Sequence, residues 1–265
     1  MSLLEIKREW REKWCSQDGS GKLDLQDECP PFAPFTKTRV INENGVLFLS
    51  YFLVLLSEAE LLEAEDKHKF LELVYSLYVE PGLTNRHPGN NITRESHDNI
   101  VGCAVGAFLC GAYGINAALH SYGVKNGYCY NNINPGKYDI RCLIQGSDAA
   151  VVAILSANQP PLWNYIWFLG GVLLNAFTSK NSKSNHASSA LLRWVAVSGV
   201  SKAFERFDGY PYWMTLSFKV VKAIFYFRLK ARYGSKGIAG AMRLYLHREG
   251  QPLHPCVRFA EELYS

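Results

Sequence analysis

The chain has 265 residues, of which 48% are hydrophobic and 20% charged, and its formal net charge is +4. At this length folding buries about 73% of the unfolded surface, enough for a large core without disulfide or metal staples. The composition excludes global disorder, the small net charge argues against a dedicated DNA-binding protein, and the length permits one domain or two.

Charge is unevenly spread: residues 1–100 carry 11 basic and 17 acidic side chains, whereas residues 101–265 carry 17 and 7. The basic part faces either solvent or an anionic partner such as acidic glycan, nucleic acid or anionic lipid. Seven cysteines without a CxxC pair point to reduced thiols and cytosolic synthesis. The charged start, MSLLEIKREWREKWC, has no apolar h-region and reads as no signal peptide.

Helical periodicity dominates the chain. A charged helix is expected over 3–15, with Leu3, Leu4, Trp10 and Trp14 on its apolar side, followed by an extended linker to residue 44. Asn44-Gly45 opens an apolar helix over 46–57, and an acid-led helix runs over 59–79 until Pro81-Gly82 stops it. Ser96 can cap the next helix. It belongs to a run without charge, Ile100 to Leu119, that breaks near Gly111 or Gly114. That run is long enough to cross a bilayer, and Gly102 and Gly106 stand at GxxxG spacing. Small residues suit a membrane helix pair and an inner helix packed closely in a core alike. A second uncharged run covers 160–177. Further helices are expected over 148–157, 160–176, 187–205, 212–232, 236–248 and 255–264.

This gives an all-α chain of about ten helices in antiparallel hairpins, either a layered α/α toroid, possibly incomplete, or a compact helical bundle. Residues 1–44 read as an N-terminal helix with its extended linker and 45–265 as a single helical domain. The helix at 212–232 carries Lys219, Lys222, Arg228, Lys230 and Arg232 among apolar residues. It suits phosphate or anionic lipid, although the common pattern is one buried face and one solvated face.

Two polar clusters directly precede apolar helices: Arg94-Glu95-Ser96-His97-Asp98-Asn99 and Gln145-Gly146-Ser147-Asp148. If the two helices are neighbours, Asp98 and Asp148 lie at one end of the bundle. Paired carboxylates divide acid and base roles in glycoside hydrolysis. A Ser cap followed by Asp in the first turn is equally ordinary helix-start chemistry. A helix N-terminus also favours the ionised carboxylate, so Glu95, His97 or Asp139 is the better proton donor. Between the clusters, Tyr128, Tyr130, Asn131, Asn132, Tyr138 and Arg141 suit stacking on sugar rings and bonding to hydroxyls, or packing of a Tyr-rich loop on the core. No HExxH, Walker A or GxSxG motif occurs, so no metal and no organic cofactor is expected.

The series NGVLF, RHPG, SHDN, NGYCYNNINP, YDIR and QGSD, between Asn44 and Asn175, resembles proteins of tailed phages and prophages related to the six-hairpin glycosidase-like α/α-toroid class. The resemblance implies an active-site end with Asp98 and Asp148, supported by His97, Arg94 and Arg141. Asn99, Tyr128, Tyr130, Asn131, Tyr138 and Asp139 would line the sugar groove. It implies a glycan as substrate and the host cytoplasm, or association with the virion, as location. A full toroid needs twelve helices, more than the sequence offers. The expected function is glycoside hydrolysis. The rivals are a non-enzymatic phage structural or host-interaction protein, a membrane-associated protein using the 100–119 and 160–177 runs, and a nucleic-acid binder using the basic part.

Overall fold

The computed structural model describes residues 2–13, 45–76, 78–84, 97–126, 150–156, 162–177, 183–207, 209–246 and 253–265. Eleven helices are present among them. These are α1 (Leu3–Lys13), α2 (Gly45–Glu58), α3 (Ala64–Ser76), α4 (His97–Cys110), α5 (Tyr113–Asn126) and α6 (150–156). The chain continues with α7 (Leu162–Phe177), α8 (Lys183–Arg206), α9 (Tyr212–Tyr233), α10 (Ile238–Leu246) and α11 (Pro255–Leu263). The described residues are all-α apart from one small hairpin, β1 (Tyr78–Glu80) and β2 (Leu83–Thr84), paired antiparallel. The hairpin corrects the helix expected over 59–79. That helix ends at Ser76, and Pro81-Gly82 turns the chain back on itself rather than merely stopping a helix. Gly82 sits at φ +86, packed against Ala118 and Tyr122 of α5.

Three helices form the centre. α2 is apolar nearly all round, as is α4 from Ile100 onward, and such helices are stable only when surrounded. Tyr51–Leu56 of α2, Ile100–Leu109 of α4 and Ala190–Val200 of α8 are buried without a break. α4 packs against α2, α3, α5 and α8. The glycines of the run permit this crowding. A methyl on Gly102 would lie 2.8 Å from Leu47 Cα of α2, and one on Gly199 of α8 would lie 2.8 Å from Val105 Cγ2 of α4. Gly106 faces the ring of Phe70 on α3. The GxxxG spacing therefore serves an inner helix of the core. The uncharged run is divided at Gly111, φ +77, as the sequence anticipates. Among the described residues no helix is long and apolar enough to cross a membrane.

Around this centre, α1 docks through Trp10, which stacks on Phe52 of α2 at 4.2 Å between centroids; Phe52 in turn meets Phe259 of α11 edge-on at 5.3 Å. An ion-pair network also fixes α1. The carboxylate of Asp66 in α3 is fully buried; it receives Lys7 at 3.1 Å, Arg11 at 2.8 Å and the Glu63 backbone N–H at 2.9 Å. Burial pushes the Asp66 carboxyl up, but the hydrogen bonds from Arg11, Glu63 and Lys7 together outweigh it and hold it below its ordinary value. The bond from the Glu63 backbone N–H also caps the start of α3.

The close approach of α2 to α4 yields a paired prediction. Gly102→Ala forces a methyl against backbone that cannot swing aside, and should destabilise the fold by about 1–3 kcal/mol in urea unfolding. Gly170→Ala, at a helical site with nothing within 4 Å of the added methyl, should stabilise by about 0.5–1 kcal/mol. Equal effects from the two variants would contradict the packing described.

Candidate functional site

The residues singled out by sequence fall at the edge of the described structure or outside it. His97, Asp98 and Asn99 form the first turn of α4, and their side chains lie outside the described residues. Arg94, Glu95, Tyr128, Tyr130, Asn131, Tyr138, Asp139, Arg141 and Asp148 lie outside them altogether.

The described helices enclose a different polar site. A cleft of about 340 Å³ opens between the end of α2, the end of α4, one face of α8 and the middle of α9. Its polar lining comes at helical spacing. α8 supplies Ser198, Ser201, Lys202 and Glu205, at i, i+3, i+4 and i+7. α9 supplies Lys222 and Tyr226, one turn apart, and α2 supplies Ser57 and Glu58. Val54 and Leu109 form the apolar part of the wall.

Glu58 is the anchor. The Ser198 hydroxyl donates to its Oε1 at 2.7 Å, and the Tyr264 hydroxyl, just beyond α11, donates to its Oε2. One carboxylate thus ties α2 to α8 and α11. Tyr226 lies beside it. Burial, then the Glu58 charge, push the Tyr226 phenol well above its ordinary value, against a partial offset from Ser198 and Trp194. The Tyr264 phenol is raised by burial first, then by Glu58 and Tyr226. Both stay protonated donors through the physiological range. At the outer end of the cleft, Lys222 donates to Ser201 Oγ at 2.9 Å, and Lys202 pairs with Glu205 at 2.8 Å.

Two carboxylates and two ammonium groups make the cleft neutral overall, with donors and acceptors interleaved. From Asp98 in the first turn of α4 to Leu109 in the cleft is eleven residues, about 16 Å of helix rise. The cleft and the polar cluster before α4 are therefore at opposite ends of that helix.

Other chemistry is not assembled here. Among the described residues no three His, Cys, Asp or Glu side chains converge as a metal site requires. Among the described cysteines, Cys103 and Cys256 are buried and Cys110 is half-buried. Burial pushes the Cys110 thiol up to about 12, which removes it as a nucleophile at neutral pH.

Sequence reasoning missed the cleft, although one signal for it exists. Ser198, Ser201, Lys202 and Glu205 draw a polar stripe at i, i+3, i+4 and i+7, directly after the apolar run Trp194–Val197. Comparisons with protein-family models, curated proteins and solved structures find no match. The functional reading therefore rests on the residues of this chain.

His254 caps α11, the helix that delivers Tyr264 to the cleft. Its Nδ1 accepts from the Cys256 backbone N–H at 3.1 Å. Burial, with a smaller contribution from Arg258, pushes its pKa down to about 3 from 6.5. The unfolded chain thus binds the proton first. The stability contributed by neutral His254 is complete above pH 6.5 and lost as pH falls toward 3. The melting temperature should therefore drop between these limits. His254→Asn, which keeps an acceptor but no titrating group, should flatten that part of the profile. An unchanged slope would contradict the role given to His254.

Proposed function

We propose that this is a carbohydrate-directed helical protein that holds a neutral, polyhydroxylated ligand in the Glu58 cleft. The observation that carries the reading is the composition of the lining. A sugar hydroxyl both donates and accepts, and therefore needs carboxylates and ammonium groups side by side rather than one charge sign alone. Glu58 and Glu205 supply acceptors, Lys202 and Lys222 supply donors, and the Ser57, Ser198 and Ser201 hydroxyls serve as either. Val54 and Leu109 offer apolar surface to the C–H face of a ring. The volume lies at the small end of the range for small-molecule sites, about 300–1,000 Å³, and suits a short sugar unit rather than a long chain lying fully enclosed.

Binding is better supported in this cleft than bond cleavage. Hydrolysis of a glycosidic bond needs one carboxyl to deliver a proton and a second to activate water or attack the sugar. Both oxygens of Glu58 are taken up by Ser198 and Tyr264, and Glu205 is occupied by Lys202. We assign hydrolysis, as a second reading, to Asp98 and Asp148, with His97 and Glu95 in support. One structural observation favours it: α4 begins at His97, so Asp98 stands in a first helical turn, where a carboxylate base or nucleophile is stabilised. The resemblance to phage proteins of the α/α-toroid class supports this second reading alone, since Ser198, Lys202, Glu205 and Lys222 lie outside the resembling stretch.

The test is titration calorimetry with fragments of capsule, O-antigen and peptidoglycan, run beside release of new reducing ends. The parent should bind one fragment class. Glu58→Gln should weaken it at least tenfold, the scale of one lost hydrogen bond to a charged group. Asp98→Asn should leave that binding intact and abolish any release. Equal binding by parent and Glu58→Gln, or no binding by a folded parent, would contradict the assignment of the cleft.

A further inference from the structure

We propose that the outer face formed by α7 and α9 docks on a bilayer surface bearing anionic headgroups. The periodicity of α9 leads one to expect a buried apolar face and a solvated polar face, and the structure differs. Met214, Phe218, Val221, Phe225 and Leu229 are buried. A second apolar series, Trp213, Leu216, Val220, Ala223 and Phe227, is exposed at a spacing of three and four residues. Phe227 is 70% exposed and Tyr212 at the helix start 79%. No described element covers this stripe, and an apolar stripe of this length marks an interaction surface.

α7 extends the face. It has no charged residue and exposes Leu162, Ile166 and Phe177. The two helices run parallel and side by side. Tyr165 bonds to the Met214 carbonyl and the Ser217 hydroxyl, Phe168 stacks on Phe218 at 6.2 Å, and Arg228 lies over the Phe177 ring at 5.1 Å. The matching order of these contacts along both helices fixes the direction.

Charge identifies the partner. α9 carries Lys219, Lys222, Arg228, Lys230 and Arg232 and not one acidic residue. Lys219 and Lys230 are exposed beside the apolar stripe, on flexible stems that can lie along it with the ammonium group at headgroup level. Trp, Tyr and Phe with Lys and Arg on one helix is the composition of interfacial membrane helices. A second copy docked symmetrically would set Lys219 and Lys230 beside the same cations of its partner copy. Nucleic acid would use the basic groups and aromatic rings, but Leu162, Ile166, Leu216 and Val220 offer no stacking surface, and α7 adds no cation. The face lies on the membrane rather than through it, since no described helix is long and apolar enough to span.

The test is co-sedimentation of the full chain with phosphatidylcholine vesicles, with and without about 30% phosphatidylserine. The protein should sediment with the anionic vesicles and only weakly with the neutral ones. Lys219→Gln with Lys230→Gln should lower the partition by about 25-fold, at about fivefold for each cation. Leu216→Ser with Phe227→Ser should lower it at least tenfold. All four residues are exposed, so the melting temperature should hold. Quenching of tryptophan emission by brominated lipid should decrease in Trp213→Phe. The proposal is overturned if the parent ignores anionic vesicles or binds both kinds equally, or if the variants partition like the parent. It is also overturned if, without vesicle binding, the face proves to mediate a dimer lost in Leu216→Ser with Phe227→Ser, or to bind single-stranded DNA.

Discussion

The fold depends on how closely α4 approaches its neighbours. Gly102 lets the backbone of α4 meet that of α2, Gly106 leaves room for the Phe70 ring, and Gly199 of α8 accepts the Val105 side chain. Without side chains at these three points the helices close to a distance at which their remaining apolar groups interlock. Interiors packed at this density do not absorb an extra methyl without displacement. Three central helices with unbroken buried stretches then provide a rigid frame for everything peripheral.

The polar features lie where that frame ends. α2 is apolar apart from Ser50 until Ser57 and Glu58, and the buried stretch of α8 from Ala190 is apolar apart from Arg193 until Ser198. As the central helices leave the core together, these polar residues converge and the Glu58 cleft forms at the exit. Burial beside the core raises the Tyr226 and Tyr264 phenols and keeps them protonated. At the opposite end of the molecule's central helix, the turn holding Asp98 opens α4. α9 sits outside the frame, joined mainly through α7 and α10, and retains an apolar face that the core does not use.

Much of the helical architecture was legible because it is local. The starts and ends of α2, α7, α9 and α11 follow from periodicity and from Gly45, Pro255 and the Tyr210-Pro211 pair, and the break at Gly111 follows from a glycine in a helical run. The error at Tyr78–Glu80 arose because a strand is decided by its partner, here Leu83–Thr84, and not by its own residues. The cleft was not legible because Glu58, Ser198, Lys222 and Tyr264 are separated by as many as 206 residues and meet only through tertiary packing. The exposed stripe of α9 was hidden for another reason. Its sequence contains two apolar series, and periodicity alone cannot say which of them the core takes. The Asp98 and Asp148 pair, read from two helix starts, requires a side-chain geometry that the described residues do not include.

The measurement that bears most directly on this account is native-state hydrogen exchange, resolved by residue. The amides of Val101–Leu109, Phe52–Leu56 and Leu191–Val200 should share one slow rate, set by global unfolding, because these helices cannot separate singly. Amides of α9 should exchange faster, through local opening. A central α4 that exchanges independently of α2 and α8, or faster than α9, would contradict the claim that the glycine-mediated contacts of α4 hold the fold and its cleft together.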